Sequence, residues 1–189
     1  MPGSTVPGLE KYDQRLAERL LELETTPTGR PLVQWVRQHQ PQIILGQPLT
    51  GAGFTYPWPF GHIVISPDYD DEWLRGALAH ELVHLIKYGG PGTMVGSLEQ
   101  ERECTWVAAK CWTEYPPGDV ALLQSRPDYD DKAGWVIDQP PETVRRIIHD
   151  RWGDFYQHIP EFQPGPWPWQ QLVAGWPQIK FALRLIFHR

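Results

Sequence analysis

Apolar residues recur at helical spacing from the start of the chain. Leu9, Tyr12, Leu16, Leu20 and Leu23 fall on one stripe and predict an amphipathic helix over Leu9 to Glu24. Thr25-Thr26-Pro27-Thr28-Gly29 interrupts it, and Pro31, well suited to a first helical turn, introduces a second helix over Leu32 to Gln40. The period then shortens. Ile43-Ile44-Leu45, Phe54-Thr55-Tyr56 and His62-Ile63-Val64-Ile65-Ser66 are short apolar runs bounded by Gly and Pro, and read as strands.

A longer apolar run from Glu72 to Lys87 predicts the next helix. Pro67-Asp68-Tyr69-Asp70-Asp71-Glu72 precedes it, an acidic start that satisfies free backbone N–H groups and the positive end of the helix dipole. Tyr88-Gly89-Gly90-Pro91-Gly92 ends it. Ser97 is placed to cap a further helix running to Trp112, with Glu99 to Glu101 in its first turn. Beyond Pro116-Pro117, Asp119 to Gln124 reads as a short helix or strand, and Pro127-Asp128-Tyr129-Asp130-Asp131 repeats residues 67–71 as a second acidic helix start. Pro141 to Ile159 reads as one helix with Val144, Ile148, Trp152, Phe155 and Ile159 inward, and Gln178 to His188 as a closing amphipathic helix. The expected fold is α+β with a small, mainly antiparallel sheet. It divides into an N-terminal helix (residues 1–30) packed on a core (31–115), followed by a helical C-terminal extension of the same domain (116–189).

Composition narrows the function. A net charge of −6 lacks the basic stripes that a nucleic-acid partner wants, so none is expected. No apolar run approaches 18 residues, and Met1-Pro2-Gly3-Ser4 does not open a signal peptide. Cys104 and Cys111 would stand about 10 Å apart along one helix, beyond disulfide reach. Two unbridged cysteines suit a reducing compartment, so the expected location is cytoplasmic. Trp167, Trp169 and Trp176 precede Lys180-Phe181-Ala182-Leu183-Arg184-Leu185-Ile186-Phe187, a stretch with the look of an interfacial helix. With three cations in the tail, Lys180, Arg184 and Arg189, a helix packed on the domain is expected ahead of membrane contact.

The chemistry concentrates in His80-Glu81-Leu82-Val83-His84. Residues four apart on a helix stack on one face, so His80 and His84 can close on one metal ion. Glu81, one step round, can act as general base on a metal-bound water. About one shuffled chain in sixty of this composition would contain the pattern, so its surroundings matter. A catalytic zinc takes three protein ligands and keeps one position open. A histidine six residues after His84 would fall on Gly90, and the next histidine is His149. The helix from Ser97 offers Glu99, Glu101 and Glu103. Leu98, Glu101, Thr105, Ala108 and Trp112 share its inward stripe, so Glu101 is the expected third ligand and Glu103 the second choice.

The motif, followed 17 positions later by Glu101-Arg102-Glu103-Cys104-Thr105, resembles the gluzincin branch of zinc metallopeptidases. It is similar in layout to small gluzincins, to ImmA-type proteases and to the CAAX-protease and heat-shock-protease group. That resemblance implies a zincin-like core over residues 31 to 113: a small sheet, the motif helix and a ligand helix. It implies Zn2+ as cofactor and a peptide or protein as substrate, hydrolysed by a metal-activated water. Cys104 takes the small-residue place of the family pattern, and Thr105 stands where an Asp or Asn orients a ligand histidine. By the same resemblance His62–Ser66 is the edge strand that pairs with substrate, while the pattern alone reads equally as sheet interior. Candidate oxyanion donors are His149 and Tyr156, seven apart on one helical face, with Tyr88 and His158 as further possibilities. The alternative function is a zinc-binding, proteolytically silent sensor or interaction module.

Overall fold

Asp13 decides where the first helix begins. Its side chain accepts from Arg15 N and caps α1, Gln14–Thr25, so the helix starts later than its apolar stripe. Leu9 and Tyr12 remain buried on the preceding turn, and the Tyr12 hydroxyl donates to Pro41 O at 2.8 Å. α2 spans Gly29–His39 and brings Val33 and Val36 against Leu16, Leu20 and Leu23 of α1. This computed structural model describes residues 7–49, 53–56, 60–90, 96–115, 136–165 and 167–187. The expectations for Asp119 to Gln124 and for the acidic repeat at 127–131 fall outside them.

Three strands follow: β1 Gln42–Leu45, β2 Gly53–Tyr56 and β3 His62–Ile65. They lie in the order β1-β3-β2. β1 runs parallel to β3 with Gln42 opposite His62, and β2 antiparallel to it with Gly53 opposite Ile65. The sheet is therefore mixed, not mainly antiparallel. β2 takes one edge of β3 in antiparallel pairing, and β1 takes the other in parallel. β3, the most apolar strand, sits in the centre with Ile63 and Ile65 fully buried. Its place makes it sheet interior and rules out the substrate-pairing edge role that the resemblance implied.

α3, Asp71–Val83, packs on this sheet. Asp70 caps it by accepting from Trp73 N at 3.1 Å, as the acidic start predicts. Asp71 ties the same end to α1 through Arg15 at 2.8 Å and Arg19 at 2.6 Å. The helix does not continue in α form to Lys87: it widens at His84–Tyr88 into one π-helical turn. α4 spans Leu98–Thr113 with Ser97 as its cap. The backbone N–H groups of Leu98 and Glu99 donate to Pro160 O and Glu161 O, so a later segment of the chain fixes where the helix starts.

α5, Pro141–Arg151, is shorter than its apolar spacing predicts. Gly153 adopts φ +110°, a left-handed conformation that stops the helix, and a 3₁₀ turn, Tyr156–His158, follows. Val144, Ile148, Phe155 and Ile159 are nonetheless all buried. α6, Pro168–Phe187, begins well before Gln178 and packs through Phe181 onto Phe155 and His158. Trp169 and Trp176 on this helix, and Trp167 just before it, stand exposed. Among the described residues no helix is long and apolar enough to cross a membrane.

The fold is α+β, with six helices and one three-stranded sheet among the described residues. Two apolar clusters hold it together, and α3 lies between them. Leu74, Leu78 and Leu82 enter the cluster built from α1, α2 and the sheet. Trp73 enters the cluster of Leu98, Trp112, Val144, Ile148 and Phe155. Each fully buried leucine contributes about 1.5–3 kcal/mol, enough to seat α3 while it carries polar groups elsewhere. At Gly76 the two helices approach so closely that a Cβ would overlap the Trp112 ring. Gly76→Ala should therefore cost about 1–3 kcal/mol in urea unfolding, because the indole is a rigid neighbour with nowhere to go.

Candidate metal centre

The polar residues of α3 meet those of α4 where the two helices pack. His80 lies on the last turn of regular α-helix and His84 on the first residue of the π turn. Their Nε2 atoms are 3.1 Å apart. Glu101, on the buried stripe of α4, places Oε2 3.1 Å from His80 Nε2 and Oε1 3.4 Å from His84 Nε2. The sequence-predicted ligands thus converge on one point from two helices. Glu103, the second choice, turns away and pairs with Lys87 and the Tyr88 hydroxyl. Glu99 binds Arg102 at 2.6 Å and Arg145 at 2.6 Å.

Burial and charge oppose each other here. Burial by itself would raise the Glu101 carboxyl, but the His84 charge and hydrogen bonds from both imidazoles hold it well below the usual carboxylate range. Burial would likewise lower His84, yet Cys104 and Glu101 beside it leave its pKa well above the ordinary value. The cage calls for positive charge, and a proton on imidazole or a metal ion can supply it.

The donor set could hold a metal ion. Donors bonded at about 2.0–2.1 Å in tetrahedral array stand about 3.3–3.4 Å from one another. His80 Nε2 stands 3.1 Å from both His84 Nε2 and Glu101 Oε2, close to that, while the 3.4 Å from His84 Nε2 runs to the other carboxylate oxygen, Oε1. Cys104, one helical turn beyond Glu101, joins the group: its sulfur and the His80 and His84 ring nitrogens all lie within 4.8 Å of one another. Sequence reading gave Cys104 only the small-residue place. The signal was present, since residues three apart on a helix share a face. Burial pushes its thiol up to about 11, partly offset by His84. Cys104 and Cys111 are both free, as their spacing predicts.

Around the cage, Thr105 Oγ1 lies 3.4 Å from His80 Nδ1, in the orienting place the sequence suggests. Trp152 packs its ring 6.4 Å from the His80 ring, and Tyr156 stacks edge-on against Trp152. Burial first, and then the charges of Glu101 and Glu81, hold the Tyr156 phenol well above its ordinary pKa, so it stays a proton donor. His149 does not reach the site. Because α5 ends at Arg151, His149 and Tyr156 do not share a helical face, and His149 is half-exposed with Nδ1 2.7 Å from Asp150. His158 is exposed beside Phe181, and Tyr88 is engaged with Glu103.

Glu81 is buried against β2. Thr55 Oγ1 stands 2.7 Å from its Oε2, and a Cβ at Gly53 would lie 2.8 Å from its Cγ. No family model, curated protein or solved structure matches the chain. Thr55→Val should destabilise the protein by about 1–3 kcal/mol in urea unfolding, since it leaves a buried carboxylate without its donor. Thr55→Ser should recover most of that loss.

Proposed function

We propose that this protein is a zinc-dependent metallopeptidase in which His80, His84 and Glu101 hold the ion and Glu81 moves the proton. The observation that carries this reading is the convergence of two imidazoles from one helix and a carboxylate from the next, with Nε2 atoms 3.1 Å apart and carboxylate oxygens 3.1 and 3.4 Å from them. A zinc ion in that cage supplies Lewis-acid polarisation of a peptide carbonyl and of water.

The chain's own groups supply the rest. Glu81 follows His80 directly, and Thr55 fixes its carboxylate. It accepts the proton of the attacking water and delivers it to the leaving amine. Tyr156, kept protonated by burial and by its acidic neighbours, donates a hydrogen bond to the oxyanion that develops on the scissile carbonyl. β2, paired on one side to β3 and touching Glu81 through Thr55, offers its other edge to an extended peptide. The zincin-like arrangement belongs to this same proposal, supported by the order of sheet, motif helix and ligand helix.

One observation favours a second reading, a zinc-binding module without peptidase activity. A threonine hydroxyl at 3.4 Å orients His80 more weakly than a carboxylate would. One set of measurements separates the two. Metal analysis of the purified chain should find about one zinc, and Glu101→Ala should lose it. Glu81→Gln should retain zinc and cut hydrolysis of a labelled unfolded protein by at least about 100-fold. A wild-type chain without zinc would sink both readings, and zinc-loaded protein whose hydrolysis is indifferent to Glu81→Gln would leave the silent module.

A further inference from the structure

Cys104 is a thiol inside the cage. It lies one turn after Glu101 on the same face of α4 and is fully buried. Its sulfur and the two imidazole donors all lie within 4.8 Å of one another. In a tetrahedral zinc site a thiolate at about 2.3 Å and an imidazole at about 2.0 Å stand about 3.6 Å apart. From within 4.8 Å, a movement of about 1.2 Å at most brings the sulfur to that distance.

Resting on the metal reading above, we propose that Cys104 is a fourth donor, so that the resting protein holds its ion with two imidazoles, one carboxylate and one thiolate. On ligation the Sγ–H bond breaks, its electron pair forms the sulfur–metal bond, and the proton leaves to solvent. No oxidant or reductant is needed. The consequence is functional. Three protein donors leave a position for substrate water, whereas four close the site. Hydrolysis then requires the thiol to swing aside, and Cys104 acts as a latch within the metal centre.

Cobalt(II) tests this without relying on activity, because a thiolate–cobalt bond gives a charge-transfer band that imidazole and carboxylate donors do not. The full chain, stripped of metal with a chelator and kept anaerobic, would be titrated with cobalt(II). Wild type and Cys111→Ser should bind one ion per chain and show the band. Cys104→Ala and Cys104→Ser should lack it and bind cobalt at least about tenfold more weakly, the lower end of what losing even an outer partner costs. Far-UV circular dichroism would establish that both variants are folded, and the serine variant keeps nearly the same volume. One cobalt per wild-type chain with no thiolate band would overturn the proposal and leave the three-donor site intact. A band that survives Cys104→Ser would also overturn it. A wild-type chain that binds no cobalt would overturn the metal reading itself.

Discussion

A carboxylate buried between two imidazoles is the constraint on which the rest of this structure depends. Glu101 sits on the inward stripe of α4, where an unpaired charge would cost several kcal/mol. Among the described residues, the side chains that reach it are His80 and His84. Their presence makes the carboxylate tolerable, and the pull is mutual, since Glu101 helps to hold a proton on His84. A divalent metal would compete with a proton for the same cage, so its binding would be coupled to proton release.

That cage exists because α3 is anchored from two sides. Leu74, Leu78 and Leu82 face the sheet and the N-terminal helices, and Trp73 faces the cluster under α4 and α5. Gly76 lets α4 approach within contact of its Trp112 ring, which sets the distance across which His80 and His84 meet Glu101 and Cys104. The π turn at His84–Tyr88 widens the helix at the second histidine. Segment 160–161 accepts from the first N–H groups of α4 and holds the start of that helix, one turn before Glu101. Remote parts of the chain thus fix the geometry of four side chains.

Much of the site was legible in the sequence. The i, i+4 pair His80 and His84 and the inward stripe of Leu98, Glu101, Thr105, Ala108 and Trp112 are helical periodicities, and periodicity depends only on local backbone geometry. All five stripe residues are buried. Caps were legible for the same reason: Asp70 and Ser97 lie next to the N–H groups they accept from. Helix ends were less so. Asp13 cuts α1 short and Gly153 ends α5, in both cases while the apolar spacing runs on, because buried residues keep their spacing across a turn as well as along a helix.

By itself the sequence determined the metal-type motif, the helix that carries it and the partner stripe bearing Glu101, since each is a repeat of short range. Tertiary structure alone decided the order β1-β3-β2, which moves His62–Ile65 from sheet edge to sheet centre, because strand pairing is a contest between segments far apart in the chain. It alone left His149 half-exposed beside Asp150 and set Tyr156 edge-on against Trp152, through a glycine whose left-handed turn breaks the expected helical register. It also brought the Cys104 sulfur beside both imidazoles, since that distance depends on how closely two helices pack, and a single glycine facing a tryptophan sets it.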